Sequence, residues 1–171
     1  MKVTLLQMLA AKENRSQYQK YLLKKYCKTL ISFTLNIPGE KKQGSLYRKL
    51  HDEGMREIAA AVKKENISFR QVRHLPTGSE GFAIVKEDHL TVKILACSLE
   101  EEHPLGRLFD IDVFTCDGKL ISRASLGLDK RQCILCGEDA AVCGRLQHHT
   151  YKELVEQVKK QTKNFFRQGE K

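Results

Sequence analysis

The sequence predicts an α+β fold, one domain over residues 1–171 in which a mixed or mostly antiparallel sheet carries helices packed on it. Three observations lead there. Apolar residues recur at helical spacing near both ends and in the middle of the chain; short β-branched and aromatic runs lie between those stretches; and successive runs are joined by tight Gly-containing turns, which favour antiparallel pairing. With 171 residues and 41% apolar content, the chain can bury one core without help from disulfides.

Residues from about 3 to 27 read as a helical segment rich in Leu, Lys, Gln and Ala, with a break expected near Asn14 to Ser16. "TLISFTLNI", Thr29 to Ile37, is β-branched and aromatic, and Pro38-Gly39 stops it as a strand-ending turn would. "SLYRKLHDEGMREIAAAVKKEN" places Leu46, Leu50, Ile58, Ala61 and Val62 near helical spacing, with Gly54 a tolerated weak point. "ISFRQVRHL" alternates as a strand, "TGSEG" from Thr77 to Gly81 reads as a turn, and "FAIVKE" reads as the next strand. Val92 to Leu99 is either a buried strand or a short helix leading into one. Leu108 to Thr115 is expected to pair through "CDGK" with Leu120 to Arg123 as a hairpin, with Asp117-Gly118 as its turn. A Cys-rich loop follows over about 131–149. Thr150 and Glu153 then form a capping box for a C-terminal helix of about 150–167, with Tyr151, Leu154, Val155, Val158, Thr162 and Phe165 along one side.

The formal net charge of +9 and pI near 9.3 call for an anionic partner, whether nucleic acid, a phosphate-rich small molecule or an acidic protein. No apolar run approaches the roughly 18 residues of a membrane span, so no membrane partner is expected. The stretch "MKVTLLQMLAAKEN" is interrupted by Gln7 and followed at once by Lys12, Glu13 and Arg15, the pattern of an amphipathic helix and not of an export signal. Six cysteines, three of them clustered around a CxxC, then point to reduced thiols and a cytoplasmic protein.

The chemistry centres on "HPLGRLFDIDVF". Strand side chains alternate between faces, so Asp110 and Asp112 share one face while Phe109, Ile111 and Val113 share the other. Two like charges that close require neutralisation, and a pair of carboxylates on one strand can grip Mg²⁺, which bridges the phosphates of a nucleotide-like substrate. Gly106 supplies a close backbone approach just before the acids, and Arg107 a guanidinium suited to bidentate phosphate contact. Glu100 is a candidate third Mg²⁺ ligand if its segment lies beside Leu108 to Thr115; the competing reading is a solvated acid in "EEE". His103 is a candidate base, or else a partly buried histidine bonded within the loop before Pro104. "NIPGEKK" offers amides at Gly39 and an ammonium at Lys42 for anionic oxygens, and Arg123 and Arg131 could complete an electropositive wall around a triphosphate. Each of these could equally be a turn or surface residue. In "CILCGEDAAVCGRLQHH", Cys133, Cys136, Cys143 and His149 form a CxxC, then a Cys, then a His, a ligand set for structural Zn²⁺. Their apolar neighbours suit simple burial of thiols as well.

On these residues the sequence resembles the apo-citrate lyase phosphoribosyl-dephospho-CoA transferases, the holo-acyl-carrier-protein synthases of citrate lyase. The resemblance runs from about Leu30 to Leu154 and rests on "SFT", "PG" with Lys42, "GSEG", "HPLGRLFDIDV", "ISR", and "RQCILC" through "AAVC" to His149. It implies transfer of a prosthetic group from 2'-(5''-triphosphoribosyl)-3'-dephospho-CoA to a serine of the acyl-carrier subunit of citrate lyase, with diphosphate released. In that reaction Asp110 and Asp112 would hold Mg²⁺, Arg107 and Lys42 would orient the triphosphate, and a carboxylate or His103 would take the proton. Carrier proteins of this kind are typically acidic, which would account for the positive charge, with Lys159, Lys160, Lys163 and Arg167 as a guessed docking face. The competing class is a zinc-stabilised basic nucleic-acid-binding module, which the acidic pair and the 7% aromatic content without Trp disfavour. A metal-dependent phosphodiesterase would share the acids but release its product to water.

Overall fold

The computed structural model describes residues 2–168. A long helix, α1 (Leu5–Tyr26), leads into strand β1 (Thr29–Leu35) and helix α2 (Ser45–Ala61). Strands β2 (Ile67–Leu75) and β3 (Gly78–Val85) form a hairpin, followed by helix α3 (His89–Glu102), strand β4 (Phe109–Phe114), a short helix α4 (Ala140–Leu146) and the closing helix α5 (Tyr151–Gln168). All strand pairs are antiparallel, in the order β2-β3-β1-β4.

The sheet separates two apolar layers. On one face Ile31, Phe33, Ala83, Val85, Phe109, Ile111 and Val113 pack against Leu50, Met55 and Ile58 of α2, Val92 and Ala96 of α3 and Val158 of α5. On the other face Leu30, Phe82 and Ile84 meet Leu22 and Leu23 of α1. Burying these side chains from water drives the layers together. Because β4 is an edge strand, its outer backbone needs partners. Helix α3 supplies them: the Ile111 N–H donates to Glu100 Oε1 at 3.0 Å, and Lys93 Nζ donates to the Ile111 carbonyl at 3.1 Å.

Several expectations change in detail. α1 is continuous through Asn14 and Ser16, because its capping box at Thr4 and Gln7 and the docking of Leu22 and Leu23 outweigh the weak propensity of two mid-helix residues. Residues 92–99 belong to a helix, α3, started by the Asp88 side chain accepting from the Leu90 and Thr91 N–H groups. The turn before β3 is shorter than "TGSEG", and Gly81 lies within the strand; a Cβ there would come within 2.3 Å of Met55 Sδ, so this glycine serves close approach of α2 to the sheet. The expected strand at Leu120 to Arg123 reduces to a single bridge, Phe114 to Leu120. The cysteines are not all reduced: Cys27, at the C-cap of α1, is joined to Cys116 in the turn after β4, leaving Cys97, Cys133, Cys136 and Cys143 as thiols.

Candidate active site

Asp110 and Asp112 project from β4 on the α1 side of the sheet, since Phe109, Ile111 and Val113 take the other side into the core. Neighbouring strands extend this polar face. Thr34 lies opposite both Asp110 and Glu80, and Ser32 lies opposite Asp112. Thr34 Oγ1 donates to Asp110 Oδ2 at 3.2 Å, and Arg131 Nη1 donates to Asp110 Oδ1 at 3.0 Å. Asp112 has neither a hydrogen bond nor an ion pair among the described residues. Burial, and secondarily the Asp110 carboxylate, push its pKa up to about 6 against the pull of Lys93 and Arg15. A largely enclosed, unpartnered carboxylate beside a second one is a donor set suited to a hard divalent cation.

Sequence reasoning missed the roof of this face. Arg15 of α1 reaches down to Glu80 Oε1 at 3.2 Å, Arg73 bonds Glu80 Oε2 at 2.9 Å, and Gln19 Nε2 donates to Ser32 Oγ at 2.8 Å. Glu80 is 4% exposed and neutralised from both sides. The one available signal was an acid just ahead of the apolar run "FAIV", which the reading of "TGSEG" as a turn concealed.

The four cations singled out from the sequence come together at the end of the sheet. Lys42, Arg107, Arg123 and Arg131 line a cleft of about 1140 Å³, closed by the Cys-rich segment and by Tyr151, Leu154 and Val158 of α5. Their states differ. Arg107 has no ion-pair partner among the described residues, and burial followed by its neighbours Arg131 and Arg123 holds its pKa below the usual value. Arg123 is committed to Glu100, at 2.6 Å, and to Glu101. Arg131 braces Asp110 and also donates to the carbonyls of Phe109 and Arg107. Lys42 Nζ donates to the Ile37 carbonyl at 2.5 Å, closing the loop that contains Gly39; Gly39 itself packs under Tyr151 and Val155. Arg131 is therefore shared between the acidic face and the cleft.

Two candidates lie elsewhere. Glu100 is on a helix and not a strand, and its carboxylate is engaged by the Ile111 N–H, by Arg123 and, at 3.9 Å, by Arg131, the guanidinium that also pairs with Asp110. His103 stacks on Phe109, which faces the core side, and its Nδ1 accepts from the Leu105 N–H at 3.1 Å. It sits across the sheet from the two aspartates. Gly106 has a packing role: a Cβ there would come within 2.2 Å of the Leu99 carbonyl oxygen.

The Cys-rich segment brings its four predicted ligands together. One ligand atom from each of Cys133, Cys136, Cys143 and His149 lies within 4.8 Å of the others. Sulfur separations are 3.5 Å for Cys133–Cys143 and 4.0 Å for Cys136–Cys143. Tetrahedral zinc with bonds of about 2.3 Å to sulfur would set its thiolates roughly 3.8 Å apart. His149 Nε2 is buried without a hydrogen-bond partner among the described residues, which leaves it available to ligate. These residues fit the metal.

A model of the apo-citrate lyase phosphoribosyl-dephospho-CoA transferase family matches residues 3–165. The "Probable apo-citrate lyase phosphoribosyl-dephospho-CoA transferase" of Vibrio cholerae serotype O1 (strain M66-2) is 36% identical over 168 residues, covering 95% of this chain and 93% of that protein. A protein of the same name from Streptococcus pyogenes serotype M3 is 37% identical over 169 residues, covering 96% and 88%. "Protein CitXG" of Haemophilus influenzae is 34% identical over 165 residues, and the chain spans 36% of that longer protein's length. No helix among the described residues is long and apolar enough to cross a membrane. From the extent of these matches, the chain belongs to the apo-citrate lyase phosphoribosyl-dephospho-CoA transferase family.

Proposed function

We propose that this enzyme transfers the phosphoribosyl-dephospho-CoA group of triphosphoribosyl-dephospho-CoA to a serine of the acyl-carrier subunit of citrate lyase, releasing diphosphate. The observation that carries the reading is the acidic pair on β4 joined through Arg131 to a cationic cleft. In the reaction the serine oxygen forms a bond to the α-phosphorus, the bond from that phosphorus to the bridging oxygen breaks, and the electron pair leaves with diphosphate. Arg107, a cleft guanidinium without an ion-pair partner among the described residues, would bind the triphosphate, and Lys42 would add charge from the opposite loop. Arg131 would keep the Asp110 carboxylate aimed while the β1 hydroxyl of Thr34 fixes its other oxygen. With His103 across the sheet, the serine proton would pass to a carboxylate of the acidic face.

Asp110 and Asp112 would hold Mg²⁺, which when bound shields the polyphosphate and stabilises charge developing on the leaving group. Cys133, Cys136, Cys143 and His149 would hold a structural Zn²⁺ that fastens the Cys-rich wall of the cleft. The comparisons lend nothing to the nucleic-acid alternative.

The test is intact-mass measurement of the apo carrier subunit after incubation with this enzyme, Mg²⁺ and the triphosphoribosyl donor. The expected product gains the mass of the transferred group, the gain stops on chelation of Mg²⁺, and Asp110→Ala and Asp112→Ala abolish it. Full-rate transfer by either variant would show that the acids are not the centre. Release of free nucleotide with an unmodified carrier would make the protein a phosphodiesterase.

A further inference from the structure

The positive charge of this chain is unevenly placed. Residues 2–28 contain seven lysines and arginines against Glu13 alone, so they hold six of the nine net charges of the whole sequence. Most of these residues form α1, the helix that roofs the acidic face through Arg15 and Gln19. Its outer stripe runs at helical spacing through Leu6, Leu9, Glu13, Gln17, Lys20 and Lys24, all exposed, with Gln17 Nε2 donating to Glu13 at 3.1 Å. The N-terminal end of that stripe is apolar: Leu5 is 74% exposed, Leu6 78% and Leu9 52%. Further along, Tyr21 is 54% exposed among the lysines. Leucines left in water cost free energy unless something covers them.

Resting on the transferase reading, we propose that the outer face of α1 is the docking surface for the acidic carrier protein that presents the acceptor serine. Charge complementarity selects the occupant: an acidic protein meets Lys20, Lys24 and Lys28, and its apolar residues cover Leu5, Leu6 and Leu9. Position supports the same choice. A partner seated on α1 lies against the element that contacts the Asp112 face, and Asp110, whose side chain is 46% exposed, opens at the rim where a serine must enter. The basic residues of α5 form a poorer surface. Lys159, Lys160, Lys163 and Arg167 share their helix with Glu153 and Glu156, and the apolar side of α5 is already spent on the core and the cleft. Among the described residues, α1 has the largest net positive charge of any helix and three leucines more than half exposed.

The test compares steady-state kinetics of three enzymes with the apo carrier: the unaltered chain, the double variant Lys20→Glu/Lys24→Glu, and Leu6→Ser/Leu9→Ser. Each α1 variant is expected to raise KM for the carrier at least tenfold while kcat and the KM for the triphosphoribosyl donor stay within twofold. The charge variant should also flatten the fall of kcat/KM with salt. Zero-length carbodiimide cross-linking of the unaltered enzyme to the carrier needs no variant to fold, and it is expected to join α1 lysines to carrier carboxylates. Unchanged carrier KM in both variants, or cross-links confined to α5, would overturn the docking surface while leaving the transferase standing. An unaltered enzyme that leaves the carrier unmodified would overturn the transferase reading and this surface with it.

Discussion

Replacing Asp112 by asparagine should make the metal-free protein more stable at neutral pH while destroying its activity. The Asp112 carboxyl is raised from 3.8 to about 6, chiefly by burial and then by Asp110. The folded state therefore holds a proton that the unfolded chain has already released between these values. Stability falls as pH rises through that window, is unaffected below about 4, and carries the full penalty above about 6. A shift of roughly two units at about 1.4 kcal/mol per unit corresponds to about 3 kcal/mol of destabilisation at pH 7. Asparagine, close in shape to the protonated acid, removes that penalty. Urea unfolding of both proteins in chelator, from pH 4 to pH 8, measures it directly. The stability difference should be near zero at pH 4 and grow to about 3 kcal/mol in favour of Asp112→Asn by pH 7. His51 titrates in the same range with the opposite sign, because burial lowers its pKa to about 4 and acid then favours the unfolded chain. Only the difference between the two proteins isolates Asp112. A variant equal to or weaker than the parent at pH 8 would refute the account of this carboxylate as enclosed and uncompensated.

Other substitutions separate binding from structure. Arg107→Ala should raise the KM for the donor tenfold or more with no change in melting temperature, because its guanidinium supports no protein group among the described residues. Arg123→Ala should instead destabilise the fold by about 3 kcal/mol, since the carboxylate of Glu100, 3% exposed, loses its 2.6 Å partner and keeps only Arg131 at 3.9 Å; chemical denaturation distinguishes the two arginines. The purified protein should contain one zinc per chain by elemental analysis, and Cys136→Ser should lose it and lower the melting temperature; a metal-free parent of equal stability would count against the site. Gly106→Ala should cost more than about 2 kcal/mol, measured by urea unfolding, because its Cβ would run into the backbone carbonyls of Leu99 and Glu100.

Local pattern alone was enough to place Asp110 and Asp112 on a common face, because alternation along an extended strand is a property of backbone geometry and the residues of "FDIDVF" alternate in burial along β4. The same holds for the capping box of α5 and the CxxC ligand spacing, which depend on residues a few positions apart. Residues 92–99 were ambiguous because a short apolar run suits a buried strand or a buried helix equally; packing against β4 and the Asp88 cap decided for the helix. Which side of the sheet His103 occupies, and which acid Arg15, Arg123 and Arg131 each neutralise, are settled by contacts between residues far apart in the chain. Arg15 and Glu80 are 65 residues apart, and Thr34 and Asp110 are 76 apart. Such pairings exist only once the layers are stacked, so a one-dimensional pattern can nominate the charged groups but only the packed sheet assigns their partners, their titration and their access to solvent.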